Sequence, residues 1–224
     1  MCEGVILSER ATVSPNNQSD TAVWQTRFFW LTGLLIVFRL FLSLYLDLTP
    51  DESYYWELSR RLDWSYFDHP PLVAWLIALF RLLPGESALE VRLISIFGSA
   101  FVGWCLFVIG KNHLKNPAAG FIAALMVNFT PAGAALGFVT TPDTPLAVAW
   151  AAGMLAFCRA INDEKPLWWV LTGVALGFGA LGKYNMIMFV PGVAVTILGF
   201  RRYRHLVLTS RYWFMVLLAA AGTL

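Results

Sequence analysis

Charge is scarce in this sequence. Lys, Arg, Asp and Glu make up 13% of its 224 residues, against about a quarter in a typical soluble domain. The net charge of +2 offers no basic surface for nucleic acid and excludes that class of partner. Cysteine is also scarce. Cys2, Cys105 and Cys158 stand far apart, the last two within apolar runs, which excludes a disulfide framework or a zinc-ligand spacing. Residues 1 to 23, rich in Ser, Thr, Asn and Gln, lack a small-residue cleavage pattern after an apolar core, so no cleaved signal peptide is expected. With the residues up to 27 they read as a disordered cytoplasmic tail. What fills the rest is apolar: 58% of the residues are hydrophobic, in runs of membrane-spanning length. The chain reads as an all-α polytopic membrane protein.

The first expected span is 28 to 46, "FFWLTGLLIVFRLFLSLYL". Others follow at about 93 to 110, 117 to 138, 145 to 161, 167 to 182 and 187 to 200. A last apolar run from 212 has 13 residues when the sequence stops, short of the roughly 20 that a span needs. It reads as truncation. The segment 71 to 84, "PLVAWLIALFRLLP", is apolar but carries Arg81 and is bounded by prolines. As a helix it would rise only about 20 Å, against a hydrocarbon core of about 30 Å. An interfacial or re-entrant helix is expected there.

That choice sets the parity of everything after it. If 71 to 84 does not span, Arg10, Arg27, Lys111, Lys115, Arg159, Lys165, Arg201, Arg202, Arg204 and Arg211 share one side with the N-terminus. Only Arg60, Arg61, Arg81, Arg92 and Lys183 then lie on the other. The positive-inside rule makes the ten-residue side cytoplasmic. The loop 47 to 92, the loop "VTTPDTP" (139 to 145) and the turn "LGKYN" (181 to 185) then all fall on the outer face.

The polar segment "PDESYYWELSRRLDWSYFDHPP" (50 to 71) holds Asp51, Glu52, Glu57, Asp63, Asp68 and His69 among aromatic rings. Thr49-Pro50-Asp51-Glu52 is a helix start, predicting a helix over 51 to 62 that places Tyr54, Tyr55 and Leu58 near one another. Such a helix could be an interfacial one with an aromatic belt and capping acids. The two acidic points flanking an aromatic helix also suit a sugar site, where rings stack on the pyranose and carboxylates bind or deprotonate hydroxyls. Asp143 in "TPDTP" either caps the next span or belongs to that site. Lys183, after "GVALGFGALG", is either a helix C-terminal cation or a contact for a lipid phosphate. The glycines suit close helix packing better than a nucleotide loop. Arg39 lies inside the first span and is expected to snorkel or to pair with a loop carboxylate. His113 and His205 fall in basic turns and are expected to be solvated. One histidine beside one aspartate, His69 and Asp68, is a weak metal signal.

In order, "TPDESYYWELSRRL…YFDHPPLVAWLIALF", "TTPDTPLAVAW" and "GALGKYN" resemble the N-terminal half of GT-C glycosyltransferases. The likeness is to the dolichyl-phosphate-mannose-protein mannosyltransferase group, which includes the bacterial aminoarabinose transferases, and covers about residues 28 to 210. It implies a GT-C transmembrane bundle with interfacial helices in the first outer loop. It further implies an inverting transfer of a sugar from a polyprenyl phosphate to an acceptor hydroxyl of a lipid, glycan or protein, outside the bacterial inner membrane. By motif, Asp51 resembles the catalytic base or acceptor-orienting aspartate, and Glu52 beside it is the second catalytic candidate, which could instead cap the helix or bind acceptor. Asp68 takes the place of a carboxylate that ligates a divalent metal. His69 stands where lysine is usual. Asp143 and Lys183 resemble a positioning aspartate and a lysine at the lipid phosphate; Tyr54 and Tyr55 join them as substrate contacts. A chain ending here is expected to be inactive alone. A transporter or channel segment would show paired broken spans and internal repeats, and neither is evident; a non-catalytic membrane subunit is the third reading.

Overall fold

The structure, a computed structural model, describes residues 15–82, 88–163 and 165–222. Residues 1–14 of the expected tail, with Cys2 and Arg10, and the Pro84 boundary of the short apolar segment lie outside the described residues. All regular structure among the described residues is helical, in ten α-helices. These are α1 (Pro15–Ser43), α2 (Pro50–Leu58), α3 (Leu72–Phe80), α4 (Ala88–Asn112), α5 (Pro117–Phe129), α6 (Pro131–Leu136), α7 (Asp143–Asp163), α8 (Pro166–Gly182), α9 (Phe189–Gly199) and α10 (Ser210–Ala221). Short 3-10 turns, Tyr184–Met188 and Arg201–Leu208, flank α9.

Among the described residues three helices are long and apolar enough to cross a membrane: Ser19–Ser43 of α1, α4 and α7. The turn and helix Tyr184–Gly199 form, with Arg201–Leu208, a pair bent by 116° that counts as a fourth at most. Residues 15–27 belong to α1, so the expected tail is helical over that stretch. The apolar run from Trp24 onward favours continuing the helix into it. The expected span 117 to 138 is broken at Thr130, whose ψ of 148° is extended. Pro131 disfavours helical backbone in the residue before it, and Thr130 restarts the chain by capping α6, its Oγ1 accepting from Gly133 N–H at 3.3 Å.

α1 turns Phe29, Trp30, Leu34, Val37 and Phe41 outward, an apolar face suited to lipid. Its buried side chains pack on α4 and α5, with the Phe28 and Phe107 rings stacked at 4.7 Å. α4 and α5 approach closely because Gly110 and Gly120 face each other, where a Cβ on either would enter the other's backbone. Gly173 and Gly177 of α8 likewise accept Met215, Leu218 and Gly222 of α10, so these glycines serve helix packing. α3 is nine residues long, about 14 Å, and cannot span. Its Val73 and Ile77 pack with Tyr55 of α2 and Val91 and Ile94 of α4. One end of the bundle therefore gathers the C-terminal end of α1, all of α2 and α3, and the start of α4. The contacts below add the start of α7 and the end of α8 to it.

Candidate active site at one end of the bundle

α2 starts where the sequence predicted and ends at Leu58 instead of residue 62. A capping box sets its first turn: Glu52 N–H donates to Thr49 Oγ1 (3.3 Å), and Thr49 N–H donates to Glu52 Oε2 (2.9 Å). The same Glu52 carboxylate is fully buried and meets Arg92 of α4. Arg92 Nε donates to Oε1 (3.0 Å) and Nη2 to Oε2 (2.9 Å). Thr140 N–H adds a bond to Oε1 at 3.2 Å. Burial alone would raise the Glu52 pKa; the bonds from Arg92, Thr49 and Thr140 outweigh it and hold the group below its ordinary value. Every lone-pair direction of Glu52 is engaged.

Arg92 is the hub that the sequence did not reveal. Its guanidinium also donates to the Leu46 and Asp47 carbonyls, each at 2.7 Å, and lies 4.4 Å from the centre of the Phe138 ring. The end of α1, the start of α2, α4 and the loop before α7 are thereby tied at one point. Thr140 reinforces the joint. Its hydroxyl donates to Val91 O (2.8 Å), which leaves Ser95 to donate to Thr140 (2.6 Å) and Thr144 to donate to Ser95 (3.2 Å). Glu90, another buried acid of α4, has an Oε1 without a partner among the described residues. The one available signal for Arg92 was an arginine at the edge of an apolar run, read there only as loop charge.

On this base stand the other expected residues. Asp51 is exposed and, among the described residues, its carboxylate has no hydrogen-bond or ion-pair partner. The loop after α2 folds back, held by Trp75 Nε1–H donating to Asp63 O (3.0 Å), and returns Asp68 and His69 to α2. Tyr54 Oη donates to Asp68 Oδ1 at 2.7 Å, which raises the phenol pKa and lowers that of Asp68. Tyr55 Oη lies 3.2 Å from His69 Nε2. The Tyr55 pKa is pushed up to about 12, first by burial, then by the charges of Asp51 and Asp68, with Asp143 contributing. Asp143, at the start of α7, accepts from Lys183 Nζ at 2.7 Å, with both side chains about a third or more exposed (34% and 42%).

Arg39 departs from expectation. It neither snorkels nor meets a carboxylate: it is buried, donating to Ser99 Oγ (2.6 Å) and Asn128 Oδ1 (3.0 Å). Asp68 and His69 supply two possible metal donors 3.7 Å apart, fewer than the three protein ligands of a catalytic zinc site. No third His, Cys, Asp or Glu joins them among the described residues, so the donors present do not complete a metal site.

A membrane-embedded helical bundle with an acidic, aromatic site where its helices emerge defines the class: an all-α protein of GT-C architecture. The crystal structure of ArnT from Cupriavidus metallidurans in the apo state matches it with a TM-score of 0.69 and 18% identity, over 91% of this chain and 41% of that one. The profile of the dolichyl-phosphate-mannose-protein mannosyltransferase family matches residues 68–224, and the chain belongs to that family. Lipid A galacturonosyltransferase RgtD of Rhizobium johnstonii is 27% identical over 153 residues, 68% of this chain and 32% of the relative. An undecaprenyl phosphate-alpha-4-amino-4-deoxy-L-arabinose arabinosyl transferase of Proteus mirabilis is 24% identical over 217 residues, 88% of this chain and 40% of the relative. The chain thus spans about a third to two-fifths of the length of these relatives.

Proposed function

We propose that this chain carries the catalytic face of a membrane glycosyltransferase. The enzyme would move a sugar from a polyprenyl phosphate to an acceptor hydroxyl on the outer face of the bacterial inner membrane, inverting the anomeric carbon. The observation that carries the reading is the division between two neighbouring acids. Glu52 is consumed by the scaffold, and Asp51 stands free beside Tyr54, Tyr55, Asp68 and His69.

In the proposed reaction the acceptor oxygen attacks the anomeric carbon and its proton passes to Asp51. The bond from that carbon to the phosphate oxygen breaks, and the lipid phosphate leaves with the electron pair. Lys183 stabilises that departing charge. Its present partner favours the role: a half-exposed ion pair such as Lys183–Asp143 is worth only about 0–1 kcal/mol. A phosphate can therefore draw the ammonium over while Asp143 keeps it aimed. Tyr54 is exposed and offers a ring face to the sugar; Tyr55, buried against Val73, Ile77 and Val91, backs it and places its hydroxyl at His69. No step is routed through a metal.

The donor class is the test. The full-length protein in detergent should transfer sugar from a polyprenyl-phosphate-linked donor and not from a nucleotide sugar. Comparable turnover with a nucleotide sugar would overturn the reading.

A further inference from the structure

A polar cavity lies at the opposite end of the bundle from the candidate active site. α4 runs from the Arg92 hub to Asn112, and α7 runs from Asp143 to Asp163. At 1.5 Å per residue both are roughly 30 Å or longer, so their far ends lie a membrane's thickness from the candidate active site. Between those ends is a cavity of about 410 Å³ lined by Asn112, His113, Lys115, Arg159, Asn162 and Asp163. That volume falls in the usual range of small-molecule sites, about 300–1,000 Å³. Two cations face it against one carboxylate among the described lining residues.

Several of its polar groups are held in place before any ligand arrives. Arg159 lies on the Trp168 ring, 4.4 Å from its centre. Asn162 Nδ2 donates to Cys158 O at 2.6 Å, which fixes the amide, since the reversed orientation would set carbonyl against carbonyl. The same Nδ2 faces His113 Nδ1 at 3.3 Å and must donate to it. Nδ1 is then the acceptor, and the imidazole proton sits on Nε2. Burial lowers the His113 pKa first, the charges of Arg159 and Lys115 add to that, and Asp163 opposes. His113 Nε2 is buried and has no partner among the described residues. The expected solvated histidine is thus a fixed donor lacking an acceptor. Lys115 occupies left-handed backbone, φ 55°, where glycine is the residue without strain.

We propose that this cavity binds a phosphate group. The Arg159 guanidinium and the Lys115 ammonium line it from α7 and the α4–α5 turn, with the His113 ring and the Asn162 amide beside them. A tetrahedral oxyanion presents several acceptor oxygens at once and takes charge-assisted bonds from such cations. The phosphate could belong to a lipid headgroup at that membrane surface or be free in solution. The inference does not rest on the function proposed for the other end.

The test uses the full-length protein in a maltoside micelle, which carries no phosphate, and follows the ¹⁵N shift of His113 Nε2. Inorganic phosphate and dispersed phosphatidylglycerol are titrated separately. A shift with both assigns recognition to the phosphate itself. A shift with phosphatidylglycerol alone assigns the site to a lipid headgroup, and one with inorganic phosphate alone to a soluble phosphate. In each case Lys115→Gly, which relieves backbone strain while removing the charge, should weaken binding at least tenfold, as should Arg159→Gln. No shift with either probe overturns the proposal. So does a shift of unchanged affinity in Lys115→Gly, a variant that retains the fold.

Discussion

Asp51 and Glu52 are chemically alike and adjacent, yet the helix sends them about 100° apart, one to solvent and one to Arg92. Different consequences follow from removing each charge. If the proposed transfer is right, Asp51→Asn in the full-length protein should lower turnover by roughly 10²–10⁴-fold, the usual worth of a general base. Donor affinity and melting temperature should be nearly unchanged. Glu52→Gln leaves the Arg92 guanidinium buried against a neutral amide, and losing one partner of such a pair costs roughly 3–5 kcal/mol. Its signature is a lowered melting temperature. Steady-state kinetics, a donor-binding assay and thermal unfolding on both variants check the assignment. A stable, inactive Glu52→Gln beside an active Asp51→Asn would exchange the two roles.

At the scale of elements, the joint between α5 and α6 shows how the site end is braced from within the membrane. Arg39 reaches from α1 to Ser99 on α4 and Asn128 on α5, and its guanidinium fills the space where a Cβ on Gly137 would stand. Gly137→Ala should therefore destabilise by about 1–3 kcal/mol, as overpacked sites do. The loss should shrink when Arg39→Ala is present, since the crowding atoms are gone. Thermal unfolding of the two single variants and the double variant measures the coupling; strictly additive losses would contradict the contact. The capping box was legible in Thr49-Pro50-Asp51-Glu52, and the short α3 in the length and flanking prolines of 71 to 84. The Arg39 contacts were not, because neutral partners 60 and 89 positions away leave no spacing to read. Glu52 was misread for a related reason. Its burial depends on Arg92, 40 positions on, and an acid in a first helical turn looks the same whether it faces water or a guanidinium.

For the whole molecule, the central claim is that residues from 51 to 183 meet at one face of the membrane, and that this face is the outer one. The meeting is supported by Glu52 bonded to Thr140, by Tyr54 on Asp68 and Tyr55 on His69, and by Lys183 on Asp143. The orientation is the proposal that rests on the excess of Lys and Arg on the other side. Single cysteines introduced at Ser65, Thr141, Asn185 and Asn112, probed in intact cells with a membrane-impermeant thiol reagent, test both parts at once, in a background lacking the native cysteines. Ser65, Thr141 and Asn185 should label from outside, and Asn112 only after permeabilisation; labelling of Ser65 and Thr141 from opposite sides would contradict the shared site, and labelling of Asn112 alone from outside would contradict its orientation.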